Sequence, residues 1–146
     1  METTKTILPK VDAAGNDLIH MSCDGACTAD GKAGAAWFDG EEYRPVPLPQ
    51  CSTNNQAEYM GLISLLTHLS DTKFTGRALI MMDSQLVVYQ ISGKYGVKKE
   101  ELQVLWQRAQ NLLSIIDADV VWVSRENPIM KKVDLLAKGA SRRELN

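Results

Sequence analysis

Between Gly76 and Asp83 the chain reads Arg-Ala-Leu-Ile-Met-Met, with no polar side chain after the arginine. A strand with one wet face alternates apolar and polar residues. A run apolar at every position must be covered on both faces, so the sheet it joins carries helices on each side. That requirement restricts the chain to a layered α/β design. At 146 residues there is room for one such domain, burying roughly two thirds of its unfolded surface.

The flanking segments supply the remaining layers. Leu18 to Asp24 alternates, with Leu18, His20, Ser22 and Asp24 on one face and Ile19, Met21 and Cys23 on the other; Gly25 is expected to end this first strand. A turn near Gly31 to Gly34, a strand from Ala35 to Phe38, the hairpin signal Asp39-Gly40 and a return from Glu42 to Leu48 read as an antiparallel meander. Ser52, Thr53 or Asn54 can cap the next helix, whose stripe of Glu58, Leu62, Leu65 and Leu69 is spaced for one face, with Gly61 and Ser64 permitting close approach to a sheet. After the central strand come a short helix from Ser84 to Ile91, an amphipathic helix from Lys99 to Ser114, a strand from Ala118 to Val123 and a last helix from Met130 to Ser141. The expected fold is α/β: a mixed five-stranded sheet, three antiparallel strands then two parallel, flanked by helices. Residues 1–16 lack periodicity and read as a flexible arm, leaving 17–146 as the domain.

Composition excludes several classes. An apolar share of 45% and a charged share of 23% exclude disorder. No apolar run approaches the roughly 20 residues of a membrane span. Met1 to Lys10 carries no secretion pattern, and the three cysteines, Cys23, Cys27 and Cys51, offer neither a fully paired disulfide framework nor a Cys-x-x-Cys zinc pair; a reducing, cytoplasmic setting is expected. A net charge of -2 argues against coating nucleic acid by bulk electrostatics. Locally the balance differs: Arg125, Lys131, Lys132, Lys138, Arg142 and Arg143 face only Glu126 and Asp134 over the same stretch, and Lys94, Lys98 and Lys99 form a second basic patch.

Four acids stand where elements begin or end: Asp24 at the end of the first strand, Asp83 at the end of the fourth, Glu58 and Asp134 in the opening turns of helices. Ligands of α/β sheets gather at strand ends. Four converging carboxylates would repel one another unless cations neutralise them, and oxygen-only ligation suits Mg²⁺ or Mn²⁺ rather than zinc. Two such ions would supply activation of water and charge neutralisation in phosphodiester hydrolysis. Read singly, each acid is an ordinary cap or surface charge.

The motifs around them, Asp-Gly-Ala at 24–26, Thr-Asn-Asn-Gln-Ala-Glu-Tyr at 53–59, Asp-Ser-Gln-Leu-Val at 83–87 and Val-Asp-Leu-Leu-Ala at 133–137, resemble type 1 ribonuclease H in order and spacing across residues 17 to 141. The resemblance implies a monomeric endonuclease that cuts the RNA strand of RNA/DNA hybrids with two Mg²⁺ ions, leaving 5′-phosphate and 3′-hydroxyl ends. It implies Asp24, Glu58, Asp83 and Asp134 as catalytic metal ligands. Asn54, Asn55 and Gln85, aided by Ser84 and the segment from Cys27 to Asp30, would contact the substrate. Side-chain amides both donate to and accept from 2′-hydroxyls in the wide minor groove of an A-like duplex.

The sequence departs from that pattern in three places. Many members carry a histidine before the last helix; Trp122 to Lys132 contains none, and the expected place falls on Trp122 or Ser124 depending on the gap. The glycine-proline turn after the first aspartate is replaced by Asp30-Gly31-Lys32, and the basic insertion before the Lys99 helix is missing. His20 and His68 read as structural, Trp106 and Trp122 as core, and Asn127-Pro128 and Gly93 to Gly96 as mobile loops. A nucleic-acid-binding module with weak or no activity is the alternative reading, and a domain of a retroelement or phage polyprotein is a third.

Overall fold

The computed structural model describes residues 8–51 and 53–143. Its nine elements are β1 (Leu18–Cys27), β2 (Ala33–Phe38), β3 (Tyr43–Leu48), α1 (Asn54–Asp71), β4 (Arg77–Met82), α2 (Gln85–Ile91), α3 (Glu100–Leu113), β5 (Ala118–Trp122) and α4 (Pro128–Ser141). The strands form one sheet in the order β3-β2-β1-β4-β5. β1, β2 and β3 pair antiparallel, while β4 lies parallel to both β1 and β5.

The apolar run does become a doubly covered strand: Ala78 through Met82 are all buried. Its side chains divide by parity. Ala78, Ile80 and Met82 join Met21, Cys23, Trp37 and the leucines of α1 in the core beneath α1, α2 and α3. Met81 turns the other way, into a cluster with Ala36, Val123, Met130, Val133 and Ala137 under α4. The period-two alternation of a strand therefore feeds two cores at once.

β1 does not stop at Gly25 as its sequence suggests but continues paired to Cys27. Gly25 serves close packing instead. A Cβ on Gly25 would fall 1.9 Å from the Ala57 carbonyl oxygen, and one on Gly61 would fall 2.4 Å from that of Asp24. The two glycines let α1 lie directly against β1, which sets the distance between Glu58 and Asp24.

Capping explains where the helices begin. Thr53 closes a reciprocal box with Gln56 at the start of α1; of its rivals, Asn54 lies inside the helix and Ser52 outside the described residues. Ser84 caps α2 through Val87. Asn127 and Pro128, expected in a mobile loop, are the N-cap and first residue of α4: Asn127 Oδ1 accepts from the amides of Ile129 and Met130 at 3.0 and 3.1 Å. Proline at that position has no helical amide to lose. The described part of the N-terminal segment folds back: Leu18 donates its amide to Lys10 at 2.8 Å, Val11 bridges Asp17, and Asp12 pairs with Arg77 at 3.5 Å.

Candidate active site

Asp24 sits two-thirds along β1, on the face that also carries Ser22. Ser22 points toward α4, with its hydroxyl 3.5 Å from Met130 Sδ. Asp134 lies one helical turn beyond Met130, and Asp83 follows the last residue of β4. Two parallel neighbouring strands and the helix over them thus bring Asp24, Asp83 and Asp134 together, each offering a carboxylate oxygen within 4.8 Å of the others. Glu58, on the second turn of α1, stands outside that trio and interacts electrostatically with all three; its carboxylate also accepts from the Ser84 hydroxyl.

The electrostatics are those of crowded anions in a dry place. Asp24 is 4% exposed. Burial, then the charge of Asp83, then a hydrogen bond with Asp134, push its pKa up to about 9. Burial is also the main cause for Glu58, pushed up to about 7 with Asp83 and Asp134 adding to it while Ser84 and Arg125 oppose it. Asp83 is raised as well, by burial first, with Arg125 partly compensating. At neutral pH such a cluster either keeps protons or takes a cation. An all-oxygen donor set of this size fits a hard divalent ion.

Two cations from the protein touch the cluster. Arg125 Nε is 3.4 Å from Asp83 Oδ2, and Lys138 Nζ is 3.0 Å from Asp134 Oδ2. Asp83, Asp134, Arg125, Met130, Lys131 and Leu135 line an open cavity of about 230 Å³. Neither contact was anticipated from sequence. The Asp134–Lys138 pair has a legible signal, the i,i+4 spacing of opposite charges on one helix. The Asp83–Arg125 pair has none, because it depends on β4 and β5 lying side by side.

The other expected residues are placed as follows. Asn54 is exposed at the first position of α1, its Oδ1 accepting the Cys27 amide at 2.8 Å. Asn55 follows, half-buried, and Gln85 is exposed at the start of α2. Ser84 is buried and occupied with capping and with Glu58. Cys27 Sγ donates to the Cys51 carbonyl at 3.1 Å, and Asp30 accepts from the Thr28 hydroxyl in the turn before β2.

Trp122, expected in the core, is 42% exposed at the end of edge strand β5. Its apolar neighbours in sequence suggested burial, but the side chain lies outside both cores and reaches Asp83 instead. Trp106 is partly buried, donating to the Gln90 carbonyl at 3.0 Å, and Trp37 is 3% exposed. The histidines are engaged away from the cluster: His20 Nε2 lies 2.7 Å from the Pro9 carbonyl oxygen, and His68 stacks on Trp37 and pairs with Asp39 at 2.9 Å. A second group of possible ligands, Asp39, Glu42 and His68, gathers at the β2–β3 hairpin. No helix among the described residues is long and apolar enough to cross a membrane.

Comparison with known proteins supports the same region. A 63-residue stretch is 46% identical to the bifunctional protein Rv2228c of Mycobacterium tuberculosis; it covers 43% of this chain but only 17% of that relative. The N-terminal RNase H domain of that protein, solved as a fusion with maltose-binding protein, superposes with a TM-score of 0.73 at 30% identity, covering 86% of this chain and 95% of that chain. RNase H1 from the halophilic archaeon Halobacterium salinarum gives a TM-score of 0.75, also at 30% identity, with 85% and 97% covered. LC11-RNase H1 in complex with an RNA/DNA hybrid gives 0.72 over 87% and 99%; at 23% identity that likeness is one of fold. The family model for RNase H matches residues 16–141. With that match spanning the whole sheet and all four helices, the chain belongs to the RNase H family, and its structural neighbours are type 1 RNase H1 enzymes.

Proposed function

We propose that the protein is an endoribonuclease that hydrolyses the RNA strand of RNA/DNA hybrids, giving 5′-phosphate and 3′-hydroxyl ends. The observation that carries this reading is the trio Asp24, Asp83 and Asp134, the first buried and the other two half-buried, within 4.8 Å of one another where β1 and β4 run side by side beneath α4. Carboxylates crowded around a buried Asp24 gain nothing structural from mutual repulsion, whereas a hydrolase gains a cation site. Asp24, Glu58, Asp83 and Asp134 would hold two Mg²⁺ or Mn²⁺ ions. When bound, these ions supply activation of the attacking water and neutralisation of the charge that develops on phosphorus and the leaving oxygen.

The protein's own residues do the positioning. Asn54 spends its carbonyl oxygen on Cys27, so its NH₂ group is the part directed to substrate; Asn55 and Gln85 flank the same surface at the starts of α1 and α2. Cys27, Asp30 and Ser84 shape it, the last by holding Glu58. Recognition by amides and backbone reads sugars and helix shape, so base sequence should matter little. The hybrid bound by LC11-RNase H1 supports this substrate class.

The acidic set is complete within one chain, so a monomer would carry the whole site. Three free cysteines support a reducing, cytoplasmic setting, and the family match from residue 16 supports a catalytic domain at 17–146 with a preceding arm. The deciding experiment incubates end-labelled RNA/DNA, RNA/RNA and DNA/DNA duplexes and single-stranded RNA with the protein and Mg²⁺. Cleavage confined to the RNA of the hybrid is expected, with none by Asp83→Asn; cleavage of single-stranded RNA at an equal rate would overturn the reading.

A further inference from the structure

Ser124 to Asn127, between β5 and α4, contains no imidazole, and its side chain nearest the carboxylates is a guanidinium. The turn is held by its own bonds: Asn127 donates its amide to the Ser124 carbonyl, and Glu126 donates its amide to Ser124 Oγ, both at 3.1 Å. Arg125 is therefore not needed to shape it. An ion pair with one exposed partner adds little stability, yet the Arg125 side chain, 83% exposed, lies across the mouth of the site with Nε on Asp83, whose own side chain is 6% exposed.

The neighbouring cations pair with carboxylates other than Asp83. Lys131 pairs with Glu126 at 3.1 Å and Lys138 with Asp134 at 3.0 Å. Arg125 alone among the cavity-lining cations sits against Asp83. Guanidinium carries five donors in a rigid fork, and contact through Nε leaves the terminal groups to pair with a second anion. Divalent cations on Asp83 would weaken its hold on Arg125, just where a phosphodiester enters.

Resting on the hydrolase reading above, we propose that Arg125 is a phosphate-binding residue of this site. It neutralises Asp83 in the metal-free protein and turns to a phosphodiester oxygen next to the scissile bond when cations and substrate are bound.

The test compares wild type, Arg125→Ala and Arg125→Lys in three measurements. Fluorescence anisotropy with a labelled hybrid in Ca²⁺ should give a Kd about 10-fold weaker for Arg125→Ala, as expected for loss of one charged hydrogen-bond pair. The slope of log Kd against log salt should shrink by about one ion for Arg125→Ala and be restored in Arg125→Lys. Calorimetric titration with Mn²⁺ alone should show equal or tighter binding by Arg125→Ala, since a competing cation has gone. An unchanged Kd and salt slope, or weakened Mn²⁺ binding, would overturn the proposal. Failure of the hydrolase reading would register separately, as absent hybrid cleavage by wild type or as full activity in Asp83→Asn.

Discussion

The indole N–H of Trp122 donates to the backbone carbonyl of Asp83 at 3.1 Å. This bond crosses from the end of β5 to the residue that leaves β4, so a half-exposed aromatic ring fixes the backbone that carries a cluster aspartate. Trp122→Phe keeps the ring and removes the donor. It should cost about 1 kcal/mol of stability and lower kcat severalfold without weakening hybrid binding. Thermal denaturation together with steady-state kinetics would show it; a loss confined to KM would mean that the ring touches substrate instead.

Stability of the metal-free protein should fall as pH rises. Below about pH 4 Asp24 carries a proton in both folded and unfolded chains. Above that the unfolded chain ionises while the folded one holds its proton until about 9 for Asp24, and until about 7 for Glu58. Over that window the folded state binds more protons, so each further pH unit destabilises it. Divalent cations reverse the penalty where the carboxylates are charged, so Mg²⁺ should raise Tm clearly at pH 8 and little at pH 5. A Mg²⁺ shift of equal size at both values would contradict the electrostatic account.

Asp83→Asn separates folding from chemistry in the same cluster. Removing one buried charge relieves repulsion on Asp24 and Glu58, so the metal-free variant should melt at or above the wild-type temperature at pH 8. Its hydrolysis should be lost because the ligand charge is gone. Wild-type-like turnover would move the reaction to another site.

Much of this fold is legible in the chain because burial leaves a periodic mark. The apolar run of β4, the α1 stripe and the hairpin at Asp39-Gly40 all appear where expected, and so does the convergence of three of the acids. What was misread depends on tertiary neighbours. Gly25 looks like a strand end until α1 is seen pressing on it through Ala57. Pro128 looks like a loop until Asn127 is seen capping α4. Trp122 looks like core until β5 proves to be the sheet's edge. Arg125 meets Asp83 across 42 residues of sequence, a contact no local pattern encodes.

Substrate selection is open to the same kind of test. Asn55 follows the α1 residue tied to Cys27, and an amide that contacts the sugar equally in ground and transition states contributes to KM alone. Asn55→Ala should therefore raise KM for the hybrid about 10-fold with kcat within about twofold. A matching fall in kcat would assign Asn55 to the transition state.

The missing imidazole gives the last prediction. His20 is bonded to Pro9 and His68 to Asp39, so neither serves the cluster. Ser124, exposed at the start of the turn before α4, is one of two positions for a histidine that would shuttle a proton to the departing oxygen; Trp122 is the other. Because Trp122 holds the Asp83 carbonyl, Trp122→His trades a positioning bond for a base, whereas Ser124→His gives up only the hydroxyl contact to Glu126. Ser124→His should raise kcat by up to about 10²-fold with hybrid affinity nearly unchanged. It should also add a rate dependence near the ordinary imidazole pKa of about 6.5, and Trp122→His should gain less. Profiles of kcat against pH for wild type, both histidine variants and His20→Ala decide the matter. If neither histidine variant gains and the wild type already shows a neutral inflection that His20→Ala removes, the proton carrier lies on β1 and the turn before α4 has no part in proton transfer.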